Sequence, residues 1–249
     1  MKKNENLDKY QDSYTTEFKF FDENYYFLSH FASKVCDAIR SESCESVLSL
    51  GIGHQIVNGS IRKEFENSLK SYTILEGSLD IINELSGSIT EHQDKMDFVH
   101  TYFEDYQSEK IFDMIEMGFI LEHVDDPALI LNKFKSFLKP SGTIFIGVPN
   151  ARSLHRTIGF EAGLLDDIYK LSEYDLQLGH KRYFDLNSIQ QLVIDAGYKI
   201  KNICGLLLKP ITASQMAKLN WDKKIYEALV KIGDNYPEIS NGILIEATI

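Results

Sequence analysis

The chain has 249 residues, 43% of them hydrophobic and 25% charged, with a formal net charge of −11 at pH 7. This composition suits one globular domain with a large core, and the acidic balance argues against a nucleic-acid partner, whose phosphates need lysine and arginine. No apolar run reaches the roughly 20 residues that span a bilayer, and the polar start Met1-Lys-Lys-Asn-Glu-Asn-Leu-Asp8 carries no secretory signal, so a cytoplasmic location without a membrane partner is expected.

In chain order, Phe27, Leu28, Phe31, Val35, Ala38 and Ile39 recur at helical spacing and predict a helix from Tyr25 to Arg40. Cys36, Cys44 and Cys204 lie far apart, in no pattern shared with histidine, and read as buried thiols; no metal-ligand set is expected. Val47 to Leu50 is a strand, His54 to Leu69 a helix, and Ser71 to Glu76 a strand ending in an acid. Leu79 to Leu85 is a short helix and Asp97 to His100 a third, weaker strand. Ile111 to Met117 is the fourth strand, and Pro127 to Leu138 a helix whose first turn tolerates its proline. Lys139-Pro-Ser-Gly142 is a turn and Thr143 to Val148 the fifth strand. Such alternation predicts a parallel sheet covered by helices on both faces.

The pattern lapses between Pro149 and Arg182, too long for a plain loop, and predicts a lid or cap over a site. Asp185 to Gly197 is a helix with a capping residue at its start and a glycine at its end. Tyr198 to Leu208 is a sixth strand, Ala213 to Ile232 a helical stretch with the only tryptophan, Trp221, and Gly242 to Thr248 the last strand.

In a doubly wound sheet, ligands sit beyond the carboxyl ends of the strands, where the strand order reverses. Gly51 and Gly53 end the first strand, where a missing Cβ lets a ligand approach. Glu76 ends the second, about 23 residues after Gly53, where a carboxylate accepts from both ribose hydroxyls. A plain turn beside a solvated acid is the alternative, but both features fall on one sheet edge. Ile56 stands where a dinucleotide loop has its third glycine, which argues against a pyrophosphate.

Leu50-Gly-Ile-Gly53, Glu76, Phe112-Asp-Met-Ile115, Leu121-Glu-His-Val-Asp-Asp-Pro127 and Leu138-Lys-Pro-Ser-Gly-Thr-Ile144 occur in an order that resembles the class I S-adenosylmethionine-dependent methyltransferases over nearly the whole chain. Val148-Pro-Asn-Ala-Arg-Ser-Leu-His-Arg156 and Gly179-His-Lys-Arg182 resemble their small-molecule (sugar or metabolite) branch. The resemblance implies an α/β, Rossmann-like, doubly wound seven-stranded sheet with its last strand antiparallel and a cap insertion after strand five. It implies an N-terminal helical segment or lid over 1–45 and a methyltransferase core over 46–249, including the 149–182 cap. In such segments Tyr10, Tyr14, Phe18, Phe20 and Phe21 either fold across the cofactor or pack in the core. The resemblance further implies that S-adenosyl-L-methionine, leaving as S-adenosyl-L-homocysteine, lies with its methionine over Gly51 and Gly53 and its ribose on Glu76. Phe103 would cover the adenine, Glu104 would accept its amine, and Gly118 would leave room beside the sulfur. Two positions depart from the family's pattern: Ser49, where an acid is frequent, and Gln55, where glycine is.

Methyl transfer from a sulfonium is an in-line displacement, so holding the reactants in line is its first requirement. His123, just after strand four, serves either as a base titrating near neutrality or to orient the following helix. Arg152, His155 and Arg156 open the cap, and His180, Lys181 and Arg182 close it. Either this group recognises an anionic acceptor such as a phosphate or carboxylate, or it ties the cap to acids such as Asp166, Asp167 and Glu173. The expected activity is methylation of oxygen or nitrogen on a small polar acceptor, in one reading anionic. Sugar nucleotides and phosphorylated or surface-polysaccharide precursors come from the resemblance alone. A non-catalytic binding or scaffold protein on the same fold and an NAD-dependent oxidoreductase are the competing readings, the second opposed by Ile56.

Overall fold

Five strands in succession run the same way: β1 (Ser46–Leu50), β2 (Ser71–Glu76), β3 (Met96–His100), β4 (Phe112–Gly118) and β5 (Leu138–Pro149). With β6 (Lys199–Gly205) and β7 (Gly242–Thr248) they form one seven-stranded sheet in the order β3-β2-β1-β4-β5-β7-β6. β7 lies antiparallel to both β5 and β6. These coordinates are a computed structural model that describes residues 21–219 and 221–249. Tyr10, Tyr14, Phe18, Phe20 and the side chain of Phe21 fall outside the described residues.

Alternation along the central strands sends successive side chains to opposite faces. Leu48, Leu50, Ile115, Met117, Ile144 and Ile146 point to one face, against α4 (Pro127–Lys135) and α7 (Leu186–Asp195) through Ile130, Leu131, Phe134, Ile189 and Val193. Val47, Tyr72, Ile74, Met114 and Phe145 point to the other, against α1 (Phe21–Ser41), α2 (Ile56–Arg62) and α3 (Leu79–Ser88). The apolar spacing read in α1 is its buried side: Phe31, Val35 and Ile39 are fully buried, each contributing about 1.5–3 kcal/mol of transfer free energy. Helix ends follow from caps, with Ser78, Asp126 and Asp185 accepting from backbone N–H groups of the first turns of α3, α4 and α7.

Some elements differ from the sequence expectation for local reasons. Lys139-Pro-Ser-Gly142 is not a separate turn but a bulge inside β5, where pairing jumps from Phe112↔Leu138 to Met114↔Thr143. The helix expected to Leu69 tightens into a 3₁₀ turn at Lys63–Glu66. The stretch Ala213 to Ile232 divides into α8 (Ala213–Met216) and α9 (Lys223–Gly233), because Asp222 caps a new helix start beside Trp221. Between β5 and α7 the chain forms α5 (Leu154–Glu161) and α6 (Glu173–Gln177). Among the described residues no helix is long and apolar enough to cross a membrane.

Strand order reverses between β1 and β4. Their carboxyl ends, with those of β2 and β5, open into the site.

Candidate active site

After β1 the backbone turns through Gly51 (φ 84°) and Gly53 (φ 55°) and enters α2 at Gln55. Gln55 has φ 61°, a left-handed conformation that glycine adopts without strain, so a side chain here carries a backbone cost. A Cβ on Gly51 would stand 3.1 Å from the Ile120 side chain. Glu76 accepts from Ile52 N at 3.1 Å and Ser78 N at 2.9 Å, so the carboxylate is fixed at the turn. Burial raises its pKa, against the opposing backbone hydrogen bonds from Ser78, Ile52 and Gly77.

Beside the turn lies a polar group buried in the sheet. Ser49 is paired in register with Glu116 on β4, and both are buried under α1. Ser49 Oγ is 2.8 Å from Tyr72 Oη, which also accepts from Asn58 Nδ2 at 2.7 Å. Glu116 accepts from Gly118 N at 2.7 Å. Burial pushes its carboxyl up to about 7, with Ser49 and the Gly118 N–H opposing. Glu116 thus supplies a carboxylate where Ser49 does not. A Cβ on Gly118 would meet Glu116 Oε1 at 2.7 Å and the Phe31 ring at 2.8 Å, so its missing side chain is already filled by the protein's own groups.

These residues line one end of a cavity of about 820 Å3, within the range of small-molecule sites. Gly51, Gly53, Glu76, Phe103, Glu116 and Gly118 belong to that end. Glu104 is not in the wall; its carbonyl accepts from Lys133 Nζ at 2.8 Å. Helix α1 covers this end with Glu23, Asn24, Phe27 and Leu28. It is held there by Glu23–Lys209 at 2.7 Å, by Asn24–His54 at 3.2 Å and by the Phe27 ring, tilted 43° against Phe119 at 4.8 Å between centroids.

The other end is lined by Glu122, His123, Ser153, His155, Arg156, Tyr174, Asp175, His180, Lys181, Tyr183 and Lys209. His123 does not titrate near neutrality: burial first, then His180, pushes its pKa down to about 3, so it is neutral and a weak base. His155 is likewise held neutral by burial and by Lys209. Burial opposes ionisation of Asp175, yet contacts with His180 and Ser172 outweigh it and keep the carboxyl well below its usual range.

The six basic residues at the ends of the 149–182 stretch all have protein partners. Arg152 pairs with Asp185 at 3.3 Å, outside the cavity wall. Arg156 donates to the carbonyls of Ala151, Ile168 and Lys170 and to Tyr183 Oη, with its guanidinium stacked over the Tyr183 ring. Lys181 pairs with Asp125 at 2.5 Å. Arg182 also lies outside the wall and donates to the carbonyls of Leu121, Val124 and Asp125. His155 Nδ1 is 3.2 Å from Ser153 Oγ, and His180 Nδ1 is 3.2 Å from Asp175 Oδ1. Apart from His155, the six are tied by backbone carbonyls and by Asp125, Asp175 and Asp185 rather than by the acids anticipated from sequence; Asp166 pairs instead with Lys170.

Removing the Arg182 clamp should therefore show first as lost stability. Arg182→Ala leaves three carbonyls without a charged donor, a loss of about 1.5–3 kcal/mol, or about 4–10 °C in Tm for a chain of this size. Thermal unfolding of the variant measures it, and an unchanged midpoint would contradict the clamp.

Comparison with known proteins fits this geometry. The family model of the methyltransferase domain matches residues 23–202, from α1 into β6. The chain belongs to the methyltransferase domain family. A ubiquinone biosynthesis O-methyltransferase from Parvibaculum lavamentivorans is 28% identical over 103 residues, a match spanning 41% of this chain and only 39% of that protein. Among solved structures, the methyltransferase in complex with the Trm112 activator of Haloferax volcanii superposes with a TM-score of 0.63 at 14% identity, covering 97% of this chain and 96% of that one. An S-adenosylmethionine-dependent methyltransferase from Thermotoga maritima gives 0.60 at 16% identity, over 97% and 95%. At such identities these structures share the fold, while the chemistry of this chain rests on its own residues.

Sequence reasoning missed Glu116, Glu122, Asp175 and Lys209. For Glu116 a signal was present: an acid on the Met114 face of an otherwise apolar central strand. Glu122 stood in the Leu121–Pro127 block beside His123 without a role assigned to it, and Asp175 and Lys209 reach the cavity through tertiary packing, with no local pattern to mark them.

Proposed function

We propose that this methyltransferase moves a methyl group from S-adenosylmethionine to an oxygen or nitrogen of a small polar acceptor. The methyltransferase domain over residues 23–202 supports both the activity and the cofactor in this reading. In this reading the donor lies at the Gly51, Gly53, Glu76 and Phe103 end, with Gly118 beside the methionine and Glu116 facing its ammonium. Residues 149–182 act as a cap, with the N-terminal helix closing the donor end.

One observation carries the reading: a continuous cavity joins the Gly51–Glu76 turn to His123, His155, Arg156 and His180. Its volume of about 820 Å3 accommodates a nucleoside with a methionine tail and a small acceptor together. The acceptor end carries Glu122 and Asp175 as well as Arg156 and Lys181. That balance favours a polar hydroxyl or amine compound, with any anionic group met by Arg156 and Lys181. Proximity of donor and acceptor in one cavity supplies most of the acceleration.

The test is turnover with labelled S-adenosylmethionine against a panel of phenols, amines, sugar phosphates and sugar nucleotides. Label transfer to one acceptor class with matching release of S-adenosylhomocysteine supports the reading. Tight cofactor binding without transfer to any class favours the scaffold alternative.

A further inference from the structure

The clamps at the end of the 149–182 stretch place one residue in particular. Lys181 N donates to the Glu122 carbonyl at 2.8 Å, and Arg182 fastens to the carbonyls on either side of it. His180 is thereby set edge-on to His123, with ring centroids 4.7 Å apart. Glu122, His123 and His180 each offer one ligand atom, all within 4.8 Å of one another.

Glu122 is 1% exposed and lines the cavity, and its Oε2 has no hydrogen-bond partner among the described residues. A buried carboxylate oxygen in that condition is costly unless a cation meets it or the carboxyl takes up a proton, and burial does push the Glu122 carboxyl up, to about 7. Behind His180, Asp175 Oδ1 stands 3.2 Å from Nδ1, close enough for an ion pair though not aligned as a hydrogen bond. Asp175 is itself fixed, accepting from Tyr183 Oη at 2.9 Å and Ser172 N at 2.7 Å. A carboxylate behind a histidine is the arrangement that orients ligating imidazoles in metal sites.

We infer that Glu122, His123 and His180 form a divalent transition-metal site at the acceptor end of the cavity. Two imidazoles and a carboxylate suit Zn2+ and leave at least one coordination position open. Donors on one Zn2+ lie about 3.4 Å apart, so small side-chain rotations close the set. All three residues line the cavity, so a bound ion would be accessible to an acceptor oxygen there. This use of the metal rests on the methyl-transfer reading; the metal site itself does not. An acceptor hydroxyl bound to such an ion would be acidified and would give its proton to water. The oxygen lone pair then forms the O–C bond as the C–S bond breaks and leaves its electron pair on sulfur.

The experiment is calorimetric titration of the chelator-treated full chain with Zn2+, repeated with Co2+ to read its ligand-field bands. S-adenosylhomocysteine is titrated into the same samples. One equivalent of Zn2+ is expected, weakened at least tenfold in His180→Ala and in the isosteric Glu122→Gln, with altered Co2+ bands in both. Binding of Zn2+ at native affinity by both variants overturns the site. S-adenosylhomocysteine binding without any Zn2+ binding also overturns it and leaves the methyl-transfer reading standing. Zn2+ binding at these residues without S-adenosylhomocysteine binding does the reverse.

Discussion

Glu76→Ala is expected to bind S-adenosylmethionine about 10²–10⁴-fold more weakly than the native chain. A carboxylate accepting from two ribose hydroxyls makes two charge-assisted hydrogen bonds, each about 1.5–3 kcal/mol, and that sum sets the range. Glu76 is ready for the task before the ligand arrives, because Ile52 N and Ser78 N already fix its two oxygens. Each oxygen retains a second lone pair for a hydroxyl. The substitution also leaves those two N–H groups without their acceptor, so the affinity is to be measured well below the variant's unfolding temperature. Glu76→Gln keeps one acceptor oxygen and should fall between the two. Calorimetric titration orders the three, and equal affinities would remove Glu76 from the cofactor site.

Cofactor affinity is also expected to depend on pH through Glu116. Its carboxyl is buried and pushed up to about 7 in the free protein. Pairing with the cofactor's ammonium favours the charged form and lowers that value. The sign follows: affinity is full above about pH 7 and falls as pH drops through 7, by up to about tenfold per unit, until the pKa of the complex is reached. Glu116→Gln should abolish the dependence between pH 5.5 and 7.5 and weaken binding at the upper end by about tenfold or more. Titrations of S-adenosylhomocysteine across that range test it; a flat native profile or an unchanged slope in the variant would contradict the role.

The contrast between Glu76 and Glu116 shows what was legible. Gly51, Gly53 and Glu76 act through local backbone geometry: two positive-φ glycines and an acid ending a strand occupy fixed positions in a β-α-β unit. Such spacing is written in the sequence. Glu116 acts through its neighbour, Ser49 on β1, and that pairing exists only once β1 and β4 lie side by side. The departure at Ser49 was visible and its compensation was not. The basic residues at the two ends of the 149–182 stretch were visible by type, yet charge alone did not distinguish a group aimed at a ligand from one donating to carbonyls. Arg182 does the second, and in doing so brings His180 to His123. The bulge at Lys139–Gly142 misled for a similar reason: a turn-like tetrapeptide was accommodated inside a strand by a shift of register.

Whether the cavity has a donor end at the Gly51–Gly53 turn and an acceptor end at His123 and His180 is tested most directly by a crystal structure of the complex with S-adenosylhomocysteine. The expected result has the ribose hydroxyls on Glu76, the ammonium beside Glu116, the adenine against Phe103 and the sulfur directed toward His123 and His180. A nucleoside turned end for end, or bound away from the Gly51–Gly53 turn, would contradict it.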